Sequence, residues 1–159
     1  MRRWVTAAAL LTAAAATSAI GRDSLGVFND WGAFRDLATA SAPQRCYAIA
    51  QPTSGGATIR YVTITFWPAS RVRGQVHVRL AVPTSPRATV TMRVGSQRFT
   101  LITRGTGAWA ASAQMDAAIV AAIRSSQAMS ASANGVTASW RLRGAATAID
   151  AAALGCARR

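Results

Sequence analysis

QVHVRLAV (Gln75–Val82), TVTMRV (Thr89–Val94) and QRFTLI (Gln97–Ile102) alternate apolar and polar residues with a period of two. That is the pattern of strands with one face in a core and one in water. Val76, Val78, Leu80 and Val82 form one inward set, Val90, Met92 and Val94 a second, Phe99 and Leu101 a third; Gln75, His77 and Arg79 face the other way. Gly95-Ser96 suits the two central positions of a type II′ hairpin, where glycine supplies the positive φ. In that register Met92 meets Phe99 inside and Arg93 meets Arg98 outside.

The same grammar extends in both directions. Asn134-Gly135 is the strongest short hairpin signal. It joins strands expected at Met129–Ala133 and Val136–Leu142, with Met129 opposite Trp140. Upstream, TIRYVTITFW (Thr58–Trp67) is rich in β-branched and aromatic residues and is stopped by Pro68. Cys46–Ala50 is a short strand ended by Gln51-Pro52. DSLGVFNDWGAFRD (Asp23–Asp36) shows no clear period, and one short strand is expected around Val27 and Trp31.

Two stretches read instead at helical spacing. Residues 113–125 carry Met115, Ile119, Ala122 and Ile123 on one face, with Ser112 as cap and Arg124 near the end. Residues 145–155 carry Ile149, Ala152 and Ala153, and the same face leads to Cys156. The predicted fold class is therefore mainly β, an antiparallel β-sandwich or partly open barrel, with two short helices packed on it.

Met1–Ala19 has the build of a secretory signal peptide. Arg2 and Arg3 form a positive start, Trp4–Ala16 an apolar run, and Thr17-Ser18-Ala19 a small-residue end. Cleavage is expected after Ala19 or after Gly21, leaving one β-rich domain over residues 20–159 with no transmembrane segment. Export into an oxidising compartment makes Cys46 and Cys156, the only cysteines, a disulfide pair. Closing so long a loop removes about 4 to 5 kcal/mol of unfolded-state entropy in the chain model.

Charge is the strongest compositional feature: 18 basic residues face 5 acidic ones, a formal net charge of +13 among 159 residues. Every base is Arg and every acid is Asp. Without the two leader arginines the chain still carries +11, enough to attract anionic surfaces over about a Debye length.

Five segments carry a family resemblance. GVFNDW (Gly26–Trp31), RCYAIAQP (Arg45–Pro52), RVGSQRF (Arg93–Phe99), GAWAASAQMDAAIVAAIRSS (Gly107–Ser126) and WRLRGAATAIDAAALGC (Trp140–Cys156) occur in an order and spacing that resemble the invasion-associated locus B family. The resemblance spans nearly all of the expected mature chain. It implies an exported proteobacterial protein of the periplasm or outer surface, linked in some pathogens to host-cell entry, with no established enzymatic activity and no cofactor. The chain departs from that pattern where the family carries further cysteines. Phe34 stands three residues after Trp31, and no cysteine lies near Gly107-Ala108-Trp109, so the Cys46–Cys156 pairing rests on this sequence alone.

Catalytic constellations are not legible. The mature acids are Asp23, Asp30, Asp36, Asp116 and Asp150, and none forms a recognisable acid–base pair. Asp116 suits the positive end of a helix dipole, while Asp30 and Asp36 are placed to pair with Arg35 or Arg45. His77 has no G-x-S-x-G nucleophile elbow to serve and reads as a surface histidine. No P-loop, dinucleotide fingerprint or zinc spacing occurs, so no cofactor or metal is expected. Trp31, Trp67, Trp109 and Trp140 could form an aromatic binding platform, as in sugar or nucleotide sites, but core packing explains them more simply.

The best candidate site is a basic outer face of Arg73, His77, Arg79, Arg93 and Arg98, because guanidinium forks bind phosphate, carboxylate or sulfate in bidentate fashion. The expected partner is an anionic envelope component or another protein rather than a specific nucleic acid. The alternative is an envelope factor held to anionic lipid or lipopolysaccharide by charge alone.

Overall fold

The computed structural model describes residues 21–85 and 88–157; the expected leader lies outside the described residues. Ten strands form a single antiparallel sheet in the order β1-β2-β3-β4-β5-β8-β7-β6-β9-β10. They are β1 (Arg22–Phe28), β2 (Trp31–Asp36), β3 (Arg45–Ala50), β4 (Ile59–Trp67), β5 (Val72–Leu80), β6 (Val90–Val94), β7 (Gln97–Arg104), β8 (Gly107–Trp109), β9 (Ala128–Ala133) and β10 (Val136–Arg141). Helices α1 (Ala113–Ser125) and α2 (Ala145–Ala157) cover one face.

The alternating segments fold as their period dictates. Val76, Val78, Leu80, Val90, Met92, Val94 and Leu101 are buried against the helices. Met92 pairs with Phe99, Arg93 with Arg98, and Met129 with Trp140. Gly95 has a φ of 56° and Ser96 is not in the left-handed region, as a type II′ turn requires. Asn134 and Gly135 both have positive φ, the mark of type I′.

The antiparallel sheet rolls without closing into a barrel. Ser54 forms a bridge with Ser139 of β10. Two buried indoles cross the same gap: Trp31 Nε1 donates to the Arg141 carbonyl at 3.0 Å, and Trp140 Nε1 donates to the Ala50 carbonyl at 3.2 Å. Beneath β2 and β3 the core is built of small residues. Ala33, Ala48 and Ala50 face Ala145, Ala148 and Ala152, which lets α2 lie close to the sheet. That approach joins Cys46 to Cys156 as a disulfide, with Cα atoms 5.7 Å apart. Gly144, with a φ of 87°, turns the chain into α2 directly under the Phe28 carbonyl, where a Cβ would collide.

Several details differ from the sequence reading. Residues 23–36 hold two strands joined at Asn29-Asp30, not one. Val82 lies beyond the end of β5 and is 56% exposed rather than inward. The three-residue strand β8 is too short to carry a period, yet it sits between β5 and β7 and so decides what neighbours what.

Candidate anion-binding face

The face of the sheet opposite the helices can be followed by register. Arg22, Asp36 and Arg45 align across β1–β3, and Phe34, Tyr47, Thr65 and Gln75 across β2–β5. Thr63, His77, Trp109 and Ile102 align across β4, β5, β8 and β7. Tyr61, Arg79, Gly107 and Arg104 form the next row. Beyond β7, Arg98 pairs with Arg93 and Arg93 with Ser130, while Thr100 pairs with Thr91 and Thr91 with Ser132.

Two of the four tryptophans expected in the core lie on this outer face instead. Trp31 and Trp140 are buried, whereas Trp67 and Trp109 are half-buried beyond the sheet. The parity of β4 carries the reason: Trp67 alternates with Thr65 and Thr63, while Val62 and Ile64 point to the core. Trp109 stands over Gly107, so that a Cβ at position 107 would sit among the ring atoms. Gly32 beneath Phe34 and Gly26 beneath Phe28 repeat the device. The chain thus writes glycine, any residue, aromatic three times, GVF, GAF and GAW, each ring lying back over its own glycine.

His77 is on the outer face as expected, but it is not a free surface side chain. Its imidazole stacks on Trp109, with centroids 4.8 Å apart and planes 25° apart, and meets the Tyr61 ring edge-on at 6.4 Å. Nε2 is buried and has no hydrogen-bond partner among the described residues. Burial, with Arg79 and Arg45 adding to it, pushes the His77 pKa down to about 4. The ring is therefore neutral at ordinary pH.

The acids are all engaged. Asp36 accepts from Arg22 Nε at 2.7 Å and Arg45 Nε at 2.9 Å, and the Tyr47 hydroxyl donates to it as well. Burial alone would push this carboxyl up; the two guanidinium hydrogen bonds more than reverse that and hold it below the ordinary carboxylate range. Asp23 pairs with Arg35, Asp30 with Arg141 rather than Arg35 or Arg45, and Asp150 with Arg124. Ser112 caps α1, its hydroxyl accepting from the Met115 N–H, and Asp116 in the first turn accepts from the Val76 N–H at 2.8 Å, which ties the helix start to β5.

The chain holds only five Asp and no Glu, and among the described residues Arg60, Arg71, Arg73, Arg79, Arg93, Arg98, Arg104 and Arg143 pair with no carboxylate. All are exposed. The register puts Arg79, Arg93, Arg98 and Arg104 on the outer face of β5, β6 and β7.

The five residues expected to form one site do not meet as one. Arg93 and Arg98 are direct neighbours, but β8 and β7 separate β6 from β5, about 14 Å at ordinary strand spacing. Arg73 sits in a bulge. The pairs Thr65↔Gln75 and Trp67↔Val72 span one more residue on β5 than on β4, which breaks its parity with His77 and Arg79. Arg104, which the sequence reading missed, is the cation that the register brings beside Arg79, with only Gly107 between them.

Among the described residues no helix is long and apolar enough to cross a membrane, and no group of three or more His, Cys or Asp side chains could hold a metal ion. Comparison with family models, with curated proteins and with solved structures finds no match.

Proposed function

We propose that this chain is an exported, non-enzymatic envelope protein, periplasmic or secreted, that binds an anionic partner through the outer face of β5, β8, β7 and β6. The partner is an anionic envelope component or an acidic protein surface. One observation carries the reading: all five acids are engaged elsewhere, so four exposed guanidiniums on adjoining strands face solvent with no internal counter-charge. Arg93 and Arg98 oppose each other directly. Like charges across a strand pair cost stability, and a bound anion would offset that cost. The resemblance to the invasion-associated locus B family supports compartment and class, and the Cys46–Cys156 disulfide suits an oxidising compartment.

The test is binding of the full chain to vesicles containing anionic lipid, measured against salt concentration. Arg93→Ser/Arg98→Ser is compared with Arg60→Ser/Arg143→Ser, which removes equal charge from exposed positions elsewhere. A specific face predicts saturable binding weakened about tenfold or more by the first pair and little by the second. Equal weakening by both would mean diffuse attraction and would sink the proposal.

A further inference from the structure

Around Trp109 the outer face acquires a chemistry that charge alone does not describe. The indole stands over Gly107, and one of its faces is occupied by the His77 imidazole from β5. On the other side of β8 lies β7, which brings Ile102, 57% exposed, beside Trp109. Arg79 and Arg104 flank Gly107 from the two neighbouring strands. The glycine beneath the ring is thus flanked, in register, by two arginines that pair with no carboxylate among the described residues.

From this platform across β7, β6, β9 and β10 the outer-face positions are hydroxyls and arginines. Thr100, Thr91, Ser132 and Thr137 form one row, and Arg98, Arg93, Ser130 and Ser139 the next. No further aromatic side chain occupies those rows. A single-stranded nucleic acid would need successive open rings on which successive bases stack; from Trp109 toward β10 only hydroxyls and arginines follow, and on the other side the His77 ring is packed on Trp109 and the Tyr61 ring on His77. A flat apolar patch for a sugar's C–H face, cations for its acid groups and a field of hydroxyls suit a different polymer.

Resting on the anion-binding reading above, we infer that this face is a binding site for an acidic polysaccharide. One pyranose ring lies against Trp109, its carboxylate or phosphate is held by Arg79 and Arg104, and the chain runs toward the Arg93–Arg98 pair. His77, neutral and stacked, holds the indole in place over Gly107 rather than touching the ligand.

The experiment is isothermal titration of the full chain with hexagalacturonate, its neutral methyl ester and a six-nucleotide oligothymidylate, followed in parallel by the Trp109 indole N–H resonance. The expected result is binding of hexagalacturonate with a shift of that resonance, and much weaker binding of the ester. Arg79→Gln and Arg104→Gln, both at exposed positions, should each raise Kd about tenfold. Trp109→Phe should retain part of the affinity, with far-UV circular dichroism confirming that it folds.

If Arg79→Gln and Arg104→Gln bind hexagalacturonate normally while Arg93→Ser/Arg98→Ser does not, the platform is wrong and the anion-binding reading survives. If none of these variants matters, both fall. Equal binding of the methyl ester, or tighter binding of the oligothymidylate, overturns the acidic sugar specifically.

Discussion

The outer face of the sheet carries arginine in two places with opposite fates. Across β1–β3, Arg22 and Arg45 converge on Asp36, and Arg45 also lies 5.0 Å from the Tyr47 ring centroid and 5.6 Å from that of Trp67. Across β5–β8–β7–β6, Arg79, Arg104, Arg93 and Arg98 have neither acid nor aromatic lid among the described contacts. The difference is not residue type, since both regions use Arg, but whether one of five acids lies within reach. Charge that is paired and covered is part of the fold; charge that is unpaired and wet is available to something outside it.

Removing the acid from the paired region is the most severe test. The Asp36 carboxylate is 9% exposed, so Asp36→Asn leaves Arg22 and Arg45 crowded around a buried group that no longer cancels them. The expected loss is about 2 to 4 kcal/mol in urea unfolding. The same variant should gain affinity for anionic vesicles, because it makes β1–β3 resemble β5–β7. A loss below about 0.5 kcal/mol would put this cluster with ordinary surface pairs and erase the distinction.

Both regions also rest aromatic rings on glycine, which allows a second comparison. Gly107→Ala drives a methyl group into the Trp109 ring, at an expected cost of about 1 to 3 kcal/mol and with loss of the near-UV signal of the stacked indole. Gly32→Ala meets Phe34 only at its edge, Cε2 at 2.7 Å and Cζ at 3.2 Å, and should cost less. Trp109→Ala/Gly107→Ala should recover part of the loss relative to Gly107→Ala. Failure to recover would show that the glycine serves the backbone rather than the ring.

These rings also mark the limit of what the sequence makes legible. Strands with a polar outer face, β5, β6, β7, β9 and β10, announce themselves because alternation survives. In β1 and β2 the outer positions include Val27, Gly32 and Phe34, so apolar residues occur on both faces and the period disappears. The outward turn of Trp67 was readable from its parity with Thr63 and Thr65. The burial of His77 was not, because its lid comes from Trp109, 32 positions away on a strand of three residues. The disulfide was legible from the count of two cysteines and the compartment expected for them. The division of the five candidate residues was hidden by the insertion of β8 between β5 and β7.

The lid over His77 has a pH signature of its own. His77 is the only histidine in the chain, and its pKa lies near 4 when folded against an ordinary value of 6.5. Between those values the unfolded chain binds more protons, so stability rises with pH. The contribution is fully present above about pH 6.5 and fades as pH falls toward 4. Asp116, which burial pushes up, works in the opposite direction at the acid end. In His77→Phe the slope between pH 6.5 and 4.5 should flatten, as read from unfolding midpoints. An unchanged slope would mean that the imidazole is hydrated and that the indole is not holding it.

The smallest expected effect runs the comparison backwards. Arg98→Asp gives Arg93 a carboxylate directly across the β6–β7 hairpin and so builds a pair where the chain has a repulsion. Stability should rise by about 0.5 to 1 kcal/mol, with anionic vesicle binding reduced. The gain should fall well short of the loss at Asp36, because the hairpin pair remains in water, where attraction is screened and side-chain ordering opposes it. A gain as large as that loss would show that pairing alone, without burial, separates the two regions. A loss of stability would show that Arg93 and Arg98 already point apart, and that their opposition across the hairpin is a matter of register rather than of charge.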